Sequence, residues 1–504
     1  MQRRTVVAGA LAASMITRAV SATETPARFG AETVRKLARE RAAKPFAAPD
    51  TKLPDTLANL DYDAFRTIRF DPKQALWRGA GLPFEAELFH RGWLYKERVD
   101  IYEVADGVAS PVAYRPEMFS FGAHIQPTPG DLGFAGFRLH AQINRPDYYD
   151  EVCVFLGASY FRAVGKREGY GVSSRGLSLK TGDAAGEEFP AFRAFWLERP
   201  QAGTNAIVVH ALLDSQSCTA AMRFTIRPGD DTVMDMETVL FPRVDLAEAG
   251  VGNGTSMFFF DSSNRTGIDD YRRAVHDSDG LLMLTGRGEQ VWRQLANPRK
   301  LQISSFGDVS PRGFGLVQRK HRLDQFEDLE AHYERRPSLW VEPIGDWGAG
   351  QVQLIEIPTK DEAHDNIVAF WRPKTVLGTQ SEINFTCRLH WSDLPPIGGT
   401  LAQVEATRAG AGVGAGSGAD TRLFVLDLAG PALKTLAADA QVRADVSASK
   451  GKIRNVVAQP APELGGWRIA FELQPEGADL VELRALLLAG DTPLSETWLY
   501  RWTA

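Results

Sequence analysis

Acidic residues and tryptophans are concentrated in one segment of this sequence, between Arg335 and Trp371. The side chains that could do chemistry there are Glu342, Asp346, Glu356, Asp365, Trp340, Trp347 and Trp371. Carboxyl groups beside aromatic rings suit a carbohydrate site, because a ring face stacks on a pyranose while carboxyls bind hydroxyls and protonate a glycosidic oxygen. Composition alone fits an ordinary loop between two strands equally well, and a tryptophan on a strand is more often a core residue.

A second acidic motif, VHDSDGL, carries Asp277 and Asp279. Cleavage of a glycosidic bond needs one carboxylic acid for the leaving oxygen and one carboxylate for the nucleophile, roughly 6.5–9.5 Å apart when the reaction inverts the anomeric centre. Asp365 follows Pro358 in a polar stretch, where an aspartate is also a common turn cap. Tyr333, in HYERRP, fits a core ring with its hydroxyl at the surface. Glu356 interrupts an apolar strand and faces either solvent or a cleft.

The sequence also contains two His-Asp pairs, His276-Asp277 and His364-Asp365. Such pairs can bind a divalent metal and serve a metal-dependent hydrolase. Enzymes of that class place them on helices with further ligands, whereas this chain is rich in strands and has only 9 histidines. We therefore expect no metal and no organic cofactor. Neither a nucleophile elbow nor a phosphate-binding loop is present in the sequence.

The elements that must position these residues are predominantly strands. Period-two alternation, as in Met234–Leu240, Trp467–Leu473 and Trp498–Trp502, is separated by turn signals such as Arg227-Pro228-Gly229 and indicates antiparallel sandwiches. Helical spacing predicts one short helix over Ala31–Lys44, and a later one over Asp328–Arg336. Apolar runs predict strands at Val352–Ile357 and Ile367–Trp371.

The first residues, MQRRTVVAGALAASMITRAVSA, predict an export signal over 1–22. Arg3-Arg4 and the mild apolar core favour the twin-arginine route over the general secretory route. No apolar run is long enough for a transmembrane helix, so we expect a soluble periplasmic protein. A net charge of −6 argues against nucleic acid or anionic lipid as a partner.

The 504 residues are enough for two or three domains. Pro395-Pro396 and Gly398-Gly399 predict a boundary between a domain over 23–395 and one over 400–504, the latter of immunoglobulin-like length. Ala409–Ala419 (AGAGVGAGSGA) is too poor in side chains to pack and predicts a mobile loop. Cys153, Cys218 and Cys387 show neither disulfide nor metal spacing and are expected to be buried thiols.

Several longer sequence motifs are similar to those of one known family. They are LGFAGF, FLGASYFRAVG, SSRGLSL, EEFPAFRAFW, VHDSDGL, RGFGLVQR, RRPSLWVEP, DNIVAFW and SETWLY, in this order from Leu132 to Tyr500. They resemble the OpgG/OpgD (MdoG/MdoD) proteins of periplasmic osmoregulated glucan biosynthesis. The similarity runs nearly from the end of the export signal to the C-terminus, and the paired arginines resemble the OpgD branch.

The resemblance implies a mainly β fold, with a large galactose-mutarotase-like sandwich followed by an immunoglobulin-like sandwich. It implies linear β-1,2-glucan as the substrate and a functional link to an inner-membrane glucosyltransferase. Asp365 matches the position of the general acid, and Asp277 matches that of a base acting through a relay of bound groups. Tyr333 matches a tyrosine near the reacting sugar. Trp340, Trp347, Glu342, Asp346 and Asp279 complete the predicted substrate-binding set, with Asp279 able to exchange roles with Asp277.

Three functions fit these features. The leading prediction is an inverting endo-β-1,2-glucanase that sets glucan length. The alternatives are a β-1,2-glucan transglycosylase and a non-catalytic glucan-binding protein that presents the chain to other enzymes. The sequence departs from studied OpgD proteins at Ala409–Arg422, where an aromatic, charged loop is replaced by a stretch without aromatic residues. Loss of contacts from such a loop would weaken hydrolysis or favour transfer.

Overall fold

The computed structural model describes residues 28–123, 125–412, 420–436 and 440–504. The predicted export signal and residues 413–419 of the Ala/Gly-rich stretch lie outside these ranges. The α-helices within them are α1 (Ala31–Ala42), α2 (Asp55–Ala58), α3 (Tyr62–Phe65) and α4 (Pro431–Lys434). Short 3-10 helices occur at Pro72–Gln74, Pro116–Met118, Leu323–Gln325, Tyr333–Arg335 and Pro462–Leu464. None of the helices in the described ranges is long and apolar enough to cross a bilayer.

Strands dominate the rest of the described chain, which confirms the predicted mainly β fold. The first part of the chain contains β1 (Arg69–Phe70), β2 (Phe84–Phe89), β3 (Asp100–Ala105), β4 (Val108–Pro111), β5 (Phe119–Ser120), β6 (Gly136–Ala141), β7 (Asp150–Leu156), β8 (Tyr160–Ala163), β9 (Ser174–Arg175), β10 (Ser178–Leu179), β11 (Ala191–Glu198), β12 (Ile207–Asp214), β13 (Cys218–Arg227), β14 (Thr232–Pro242), β15 (Ala249–Ser256) and β16 (Phe258–Phe260).

The second part contains β17 (Val275–His276), β18 (Gly280–Leu284), β19 (Gln290–Gln294), β20 (Gln302–Val309), β21 (Gly313–Val317), β22 (Ser338–Ile344), β23 (Ala349–Glu356), β24 (Ile367–Pro373), β25 (Ile383–Ser392), β26 (Gln403–Ala411), β27 (Arg422–Ala429), β28 (Val442–Ala448), β29 (Lys452–Ala461), β30 (Gly466–Gln474), β31 (Leu480–Ala489), β32 (Thr492–Pro493) and β33 (Thr497–Thr503). The strands predicted before and after Pro358 are confirmed as β23 and β24.

The main core lies between one large sheet and two smaller sheets. The large sheet has 15 strands in the order β28-β31-β33-β19-β18-β21-β22-β25-β14-β13-β12-β11-β3-β4, with β32 on β31. The smaller sheets run β2-β6-β7-β8-β9 and β10-β15-β24-β23-β20. Phe155 of β7 packs against Phe224 of β13 with ring centroids 5.2 Å apart, so apolar faces of the two layers meet, as in a sandwich.

The C-terminal strands pair directly with the earlier part of the chain. β19 and β33 are parallel neighbours, with Trp292 opposite Trp498, and β26-β27-β30-β29 form a further sheet. Trp292, Trp340 and Trp498 share a second hydrophobic core with the C-terminal strands. The domain boundary at 395–400 stays a prediction, as do the galactose-mutarotase-like and immunoglobulin-like identities of the two parts.

Two local predictions have opposite outcomes. The helix predicted over Ala31–Lys44 is confirmed as α1, which buries Val34 and Ala38. The helix predicted over Asp328–Arg336 is wrong. The Asp328 carboxylate accepts hydrogen bonds from the N–H groups of Glu330 and Ala331, and His332 has a φ of 48°, so only a single 3-10 turn forms.

All three cysteines are free and buried, which confirms the prediction of buried thiols. Ala409–Ala411 at the start of the Ala/Gly-rich stretch belong to β26, so this part is paired rather than a loop.

Candidate active site

Asp365 opens onto a cavity of about 410 Å³ on the β7-β8-β9 side of the sandwich. The cavity is lined by Leu94, Tyr95, Val154, Leu156, Gly157, Ala158, Tyr160, Phe161, Arg162, Ser173 and Asp365. Asp365 is the only carboxylate in this lining. An aromatic and apolar wall with a few polar groups is the usual composition of a pocket that binds a small organic ligand.

A second cavity of about 220 Å³ continues from the first. Both are lined by Leu94, Tyr95 and the Leu156–Ala158 turn, and the second adds Glu97, Phe192 and other residues. The side chain of Leu94 is exposed on the rim. The two cavities together form a groove, as expected for a site that takes more than one unit of a chain molecule.

Asn366 fixes the position of Asp365. Its side-chain oxygen accepts the N–H of Phe258 at 2.8 Å, and its amide nitrogen donates to the carbonyls of Phe258 and Ile357 at 3.0 Å each. Its own backbone N–H donates to the Ser256 carbonyl at 3.1 Å. The residue is buried, so the chain entering β24 is held against the Ser256–Phe258 segment and Asp365 is held beside it.

The same segment holds Asp277. The backbone N–H of Asp277 donates to the Met257 carbonyl at 2.8 Å, and the Ser256 hydroxyl donates to the Ser278 hydroxyl at 2.9 Å. Residues 256–258 therefore contact both acidic motifs, which are 88 positions apart in sequence. The two aspartates predicted as a catalytic pair are brought to one site by this shared neighbour.

Asp277 is 4% exposed and does not line the cavity. Its Oδ1 accepts a hydrogen bond from Nη1 of Arg336. Burial raises the pKa of Asp277 to about 6, against the lowering effect of Arg336, and the charge of Asp365 adds to the rise. The group is thus a buried carboxyl whose pKa lies well above the usual range of an aspartate.

The pKa of Asp365 is also raised, although the side chain stays accessible to solvent through the cavity. The main cause is loss of hydration among the crowded walls, and Arg175, Arg162, Arg336 and His364 counteract it. A carboxyl that is accessible to a ligand and holds its proton more tightly than usual has the properties of a general acid.

Three arginines surround the acidic pair, and reasoning from the sequence did not identify them. Arg162 and Arg336 lower the pKa of both carboxyls, and Arg175 lowers that of Asp365. Arg175 also pairs with Glu187 at 2.5 Å and lies over the Tyr160 ring. Arg162 and Arg175 belong to the sequence motifs FLGASYFRAVG and SSRGLSL. Each is the only charged residue of its motif, and this feature of the sequence could have identified them.

Tyr333 lies beside Asp277 but is not open to the cavity. It is 2% exposed, and the Arg336 guanidinium lies 4.4 Å from the centroid of its ring. Burial is the main cause of its raised pKa, and the Asp277 charge contributes. Its ring packs against Phe326. In this structure Tyr333 supports Arg336, and through it Asp277.

Asp279 has a different environment from Asp277. Its carboxylate accepts hydrogen bonds from Nζ of Lys320 at 3.1 Å and from the backbone N–H of Arg319 at 3.2 Å. Lys320 also binds Asp261 at 2.8 Å. Asp279 is thus part of a buried ion cluster near the C-terminal strands, and the structure does not place it where it could exchange roles with Asp277.

The remaining predicted substrate-binding residues are not among those that line the groove, and their role in substrate binding stays a prediction. Trp340 and Trp347 are 3% and 6% exposed, so their rings offer no free face to a sugar. Glu342 accepts from His390 at 3.2 Å on β22, and Asp346 caps an exposed turn at Gly348.

Two further residues of the acidic segment are core residues. Glu356 is fully buried, where it accepts hydrogen bonds from Arg293 at 3.1 Å and from the Ala296 N–H at 2.8 Å, so it faces the interior rather than solvent or a cleft. Trp371 is also fully buried. In the described residues, no group of three or more His, Cys, Asp and Glu is arranged to hold a metal ion.

A family model described as "Periplasmic glucan biosynthesis protein, MdoG" matches residues 29–502. The chain belongs to the MdoG family. The match covers the groove, both acidic motifs and the C-terminal strands, and it confirms the resemblance found in the sequence.

Proteins similar to this chain match it over most or all of its length. A "Glucans biosynthesis protein G" of Rhodopseudomonas palustris (strain BisA53) is 57% identical over 100% of both chains. Another of that name, from Bradyrhizobium diazoefficiens, is 54% identical over 100% of both chains. One from Shewanella sp. (strain MR-7) is 50% identical over 94% of this chain and 87% of its own.

Proposed function

We propose that this protein cleaves linear β-1,2-glucan as an anomer-inverting endo-β-1,2-glucanase that sets glucan length. The observation that carries the proposal is the carboxyl of Asp365, which has a raised pKa and is the only acid among the described residues that line the first cavity of the groove. The buried carboxylate of Asp277 interacts with it electrostatically. Membership of a periplasmic glucan biosynthesis family supports a glucan as the ligand.

In this proposal Asp365 donates its proton to the glycosidic oxygen as the bond to the anomeric carbon breaks. Asp277 accepts the proton of the attacking water. Because Asp277 is buried and outside the cavity lining, the proton travels through water or substrate hydroxyls rather than by direct contact. Arg336 keeps Asp277 ionised and fixes its orientation. The ring of Tyr333 packs against the guanidinium of Arg336 and holds it in place.

The groove provides the contacts for the sugar chain. Tyr95 and Tyr160 line it and are the rings available for stacking, in place of the buried tryptophans. Arg162 is available to bind hydroxyls. Binding two or more sugar units along the joined cavities would position one glycosidic bond at Asp365, and such positioning supplies a large part of catalysis.

The export and branch proposals rest on the sequence. Arg3-Arg4 favour the twin-arginine route into the periplasm. The relatives named above carry the protein G name, and the OpgD-like assignment rests on the paired arginines alone. The functional link to an inner-membrane glucosyltransferase is likewise proposed from the family resemblance.

The test is incubation of the mature protein with linear β-1,2-glucan, beside Asp365→Asn and the control Asp361→Asn. Asp361 belongs to the same loop but does not line the cavity. Rising reducing ends and shorter products with wild type and Asp361→Asn, but not with Asp365→Asn, are expected. Redistributed masses without new reducing ends would show transglycosylation instead. Binding without any turnover would replace the enzyme by a glucan-presenting protein.

A further inference from the structure

A separate cavity of about 510 Å³ lies where the main sandwich meets the C-terminal strands. Its walls come from the segment after β16, the segment after β19, the loop after β23, and strands β27 and β33. It shares no lining residue with the groove at Asp365. It is therefore a second concave site on the same chain.

The charge of this cavity is opposite to that of the whole protein. The chain has a net charge of −6, yet among the described residues the cavity is lined by Arg299, Lys360, Arg422 and Arg501 and by no aspartate or glutamate side chain. Like charges gathered in a concave wall repel one another and attract an anion.

Three of these cations have no acidic partner. Arg501 is neutralised by Glu482 at 2.5 Å. Within the ranges that the structure describes, Arg299, Lys360 and Arg422 make no ion pair and no side-chain hydrogen bond. Arginine and lysine side chains without an acidic partner are the usual ligands of phosphoryl and carboxylate groups.

Two buried polar atoms at this cavity also have no partner. They are the hydroxyl oxygen of Ser263, a residue only 8% exposed, and the side-chain oxygen of Gln302. Buried polar atoms are normally satisfied by protein, water or ligand. Ser263 and Gln302 both belong to the cavity lining, so rotation of either side chain would bring its oxygen to a hydroxyl of a ligand. Trp502 in the lining offers a ring for a sugar.

We infer that this cavity binds an anionic saccharide, that is, a sugar unit carrying a phosphoryl or carboxylate group. Arg299, Lys360 and Arg422 would hold the oxyanion, while Ser263 and Gln302 would hold hydroxyls. The volume is sufficient for a sugar unit with its charged group. The inference does not depend on the proposed cleavage reaction, because it concerns binding at a site separate from the groove.

The loop after β23 connects this cavity with the groove. Thr359 is held by Asn297 through two hydrogen bonds, of 3.0 Å to its N–H and 2.9 Å from Asn297 to its carbonyl. Lys360 follows in the cavity wall, and the same loop ends at Asp365 in the groove. A glucan chain that carries charged substituents could thus be bound at the second site while the groove acts on its backbone.

Isothermal titration calorimetry of the mature protein with glucose 6-phosphate, glucuronate, inorganic phosphate and glucose tests the inference. Saturable binding of glucose 6-phosphate or glucuronate, but not of glucose, is expected, and it should weaken as salt is added. The double variant Lys360→Gln/Arg422→Gln should weaken binding at least about tenfold, since a hydrogen bond to a charged group contributes more than a tenfold change in affinity.

The controls separate this site from the groove and from folding defects. Arg287→Gln removes an exposed arginine outside the cavity lining and should leave binding unchanged, as should Asp365→Asn. If the double variant does not fold, Lys360→Gln alone, in an exposed loop, replaces it with a smaller loss. No saturable binding of any anion up to about 10 mM, or binding insensitive to these substitutions, would overturn the inference. Inorganic phosphate binding as tightly as glucose 6-phosphate would overturn its saccharide part.

Discussion

Replacement of Arg336 by glutamine tests how this arginine sets the pKa values of Asp277 and Asp365. Arg336 donates a hydrogen bond to Asp277 and lowers the pKa of both Asp277 and Asp365. A cation in contact with a carboxylate lowers the pKa of that carboxyl by roughly 1–3. Without Arg336, less positive charge offsets the rise in pKa that burial causes. The pKa of Asp277 should therefore increase from about 6 to roughly 7–9.

The consequence is a displaced pH profile rather than a uniform loss of activity. If Asp277 must be ionised to act as base, kcat/KM falls as pH drops below the pKa of Asp277. In the variant this fall should begin roughly 1–3 pH units higher. The alkaline limb should also move up, because Asp365 loses the same opposing charge. At pH 6 the loss should be about 5-fold for a rise of one pH unit in the pKa of Asp277 and about 500-fold for a rise of three, and it should shrink towards pH 9.

The assay is release of reducing ends from linear β-1,2-glucan between pH 4 and 10. Arg336→Lys keeps a cation and should restore much of the acidic limb. Arg335→Gln is the matched control, since the Arg335 side chain is 58% exposed and pairs only with Glu334 in the described structure. An acidic limb that stays in place in Arg336→Gln, with activity reduced equally at all pH values, would refute the assignment of Asp277 as the titrating base.

Three further predictions concern the same site and its surroundings. Asp365→Asn should raise the thermal unfolding temperature above that of wild type at neutral pH, and the difference should vanish in acid. When the pKa of a carboxyl is higher in the folded than in the unfolded state, its ionisation lowers the free energy of unfolding as pH rises through the folded pKa. A difference in unfolding temperature between variant and wild type that stays the same at all pH values, measured by calorimetry, would contradict this. Asn366→Ala should cost about 3 kcal/mol in urea unfolding, because it leaves buried backbone groups unpaired, and should lower kcat more than it changes KM; an unchanged kcat would remove its positioning role. Glu342→Gln and Asp346→Asn should leave kcat/KM within about twofold, and a tenfold loss in either would return that residue to the substrate site.

Period-two patterns carried the prediction of the fold. The alternation over Met234–Leu240 became β14, with the methionines buried and Glu237 exposed, because side chains of a strand point alternately to the two faces of its sheet. The failed helix at Asp328–Arg336 shows the limit of such reasoning. Helical spacing was present there. The Asp328 side chain nevertheless accepts hydrogen bonds from the backbone N–H groups of Glu330 and Ala331, and such local bonds compete with a continuous helix.

The site was predicted less completely than the fold. The aspartates could be named because motifs carry them. Arg162 and Arg175 come from strands distant in sequence, and although each is the only charged residue of its motif, nothing in the motif indicates that it faces Asp365. Trp340 shows the opposite error. Its proximity to acids in sequence predicted a stacking ring, but successive residues of a strand point to opposite faces, and Trp340 points into the second core.

The acid role of Asp365 is tested most directly by changing the leaving group. Wild type and Asp365→Asn would be compared on linear β-1,2-glucan and on a β-1,2-glucooligosaccharide carrying a dinitrophenyl leaving group, which departs without protonation. The account predicts that Asp365→Asn loses at least about a hundredfold in rate on glucan but retains nearly wild-type rate with the activated substrate. Equal losses on both substrates, or full activity on glucan, would contradict the account.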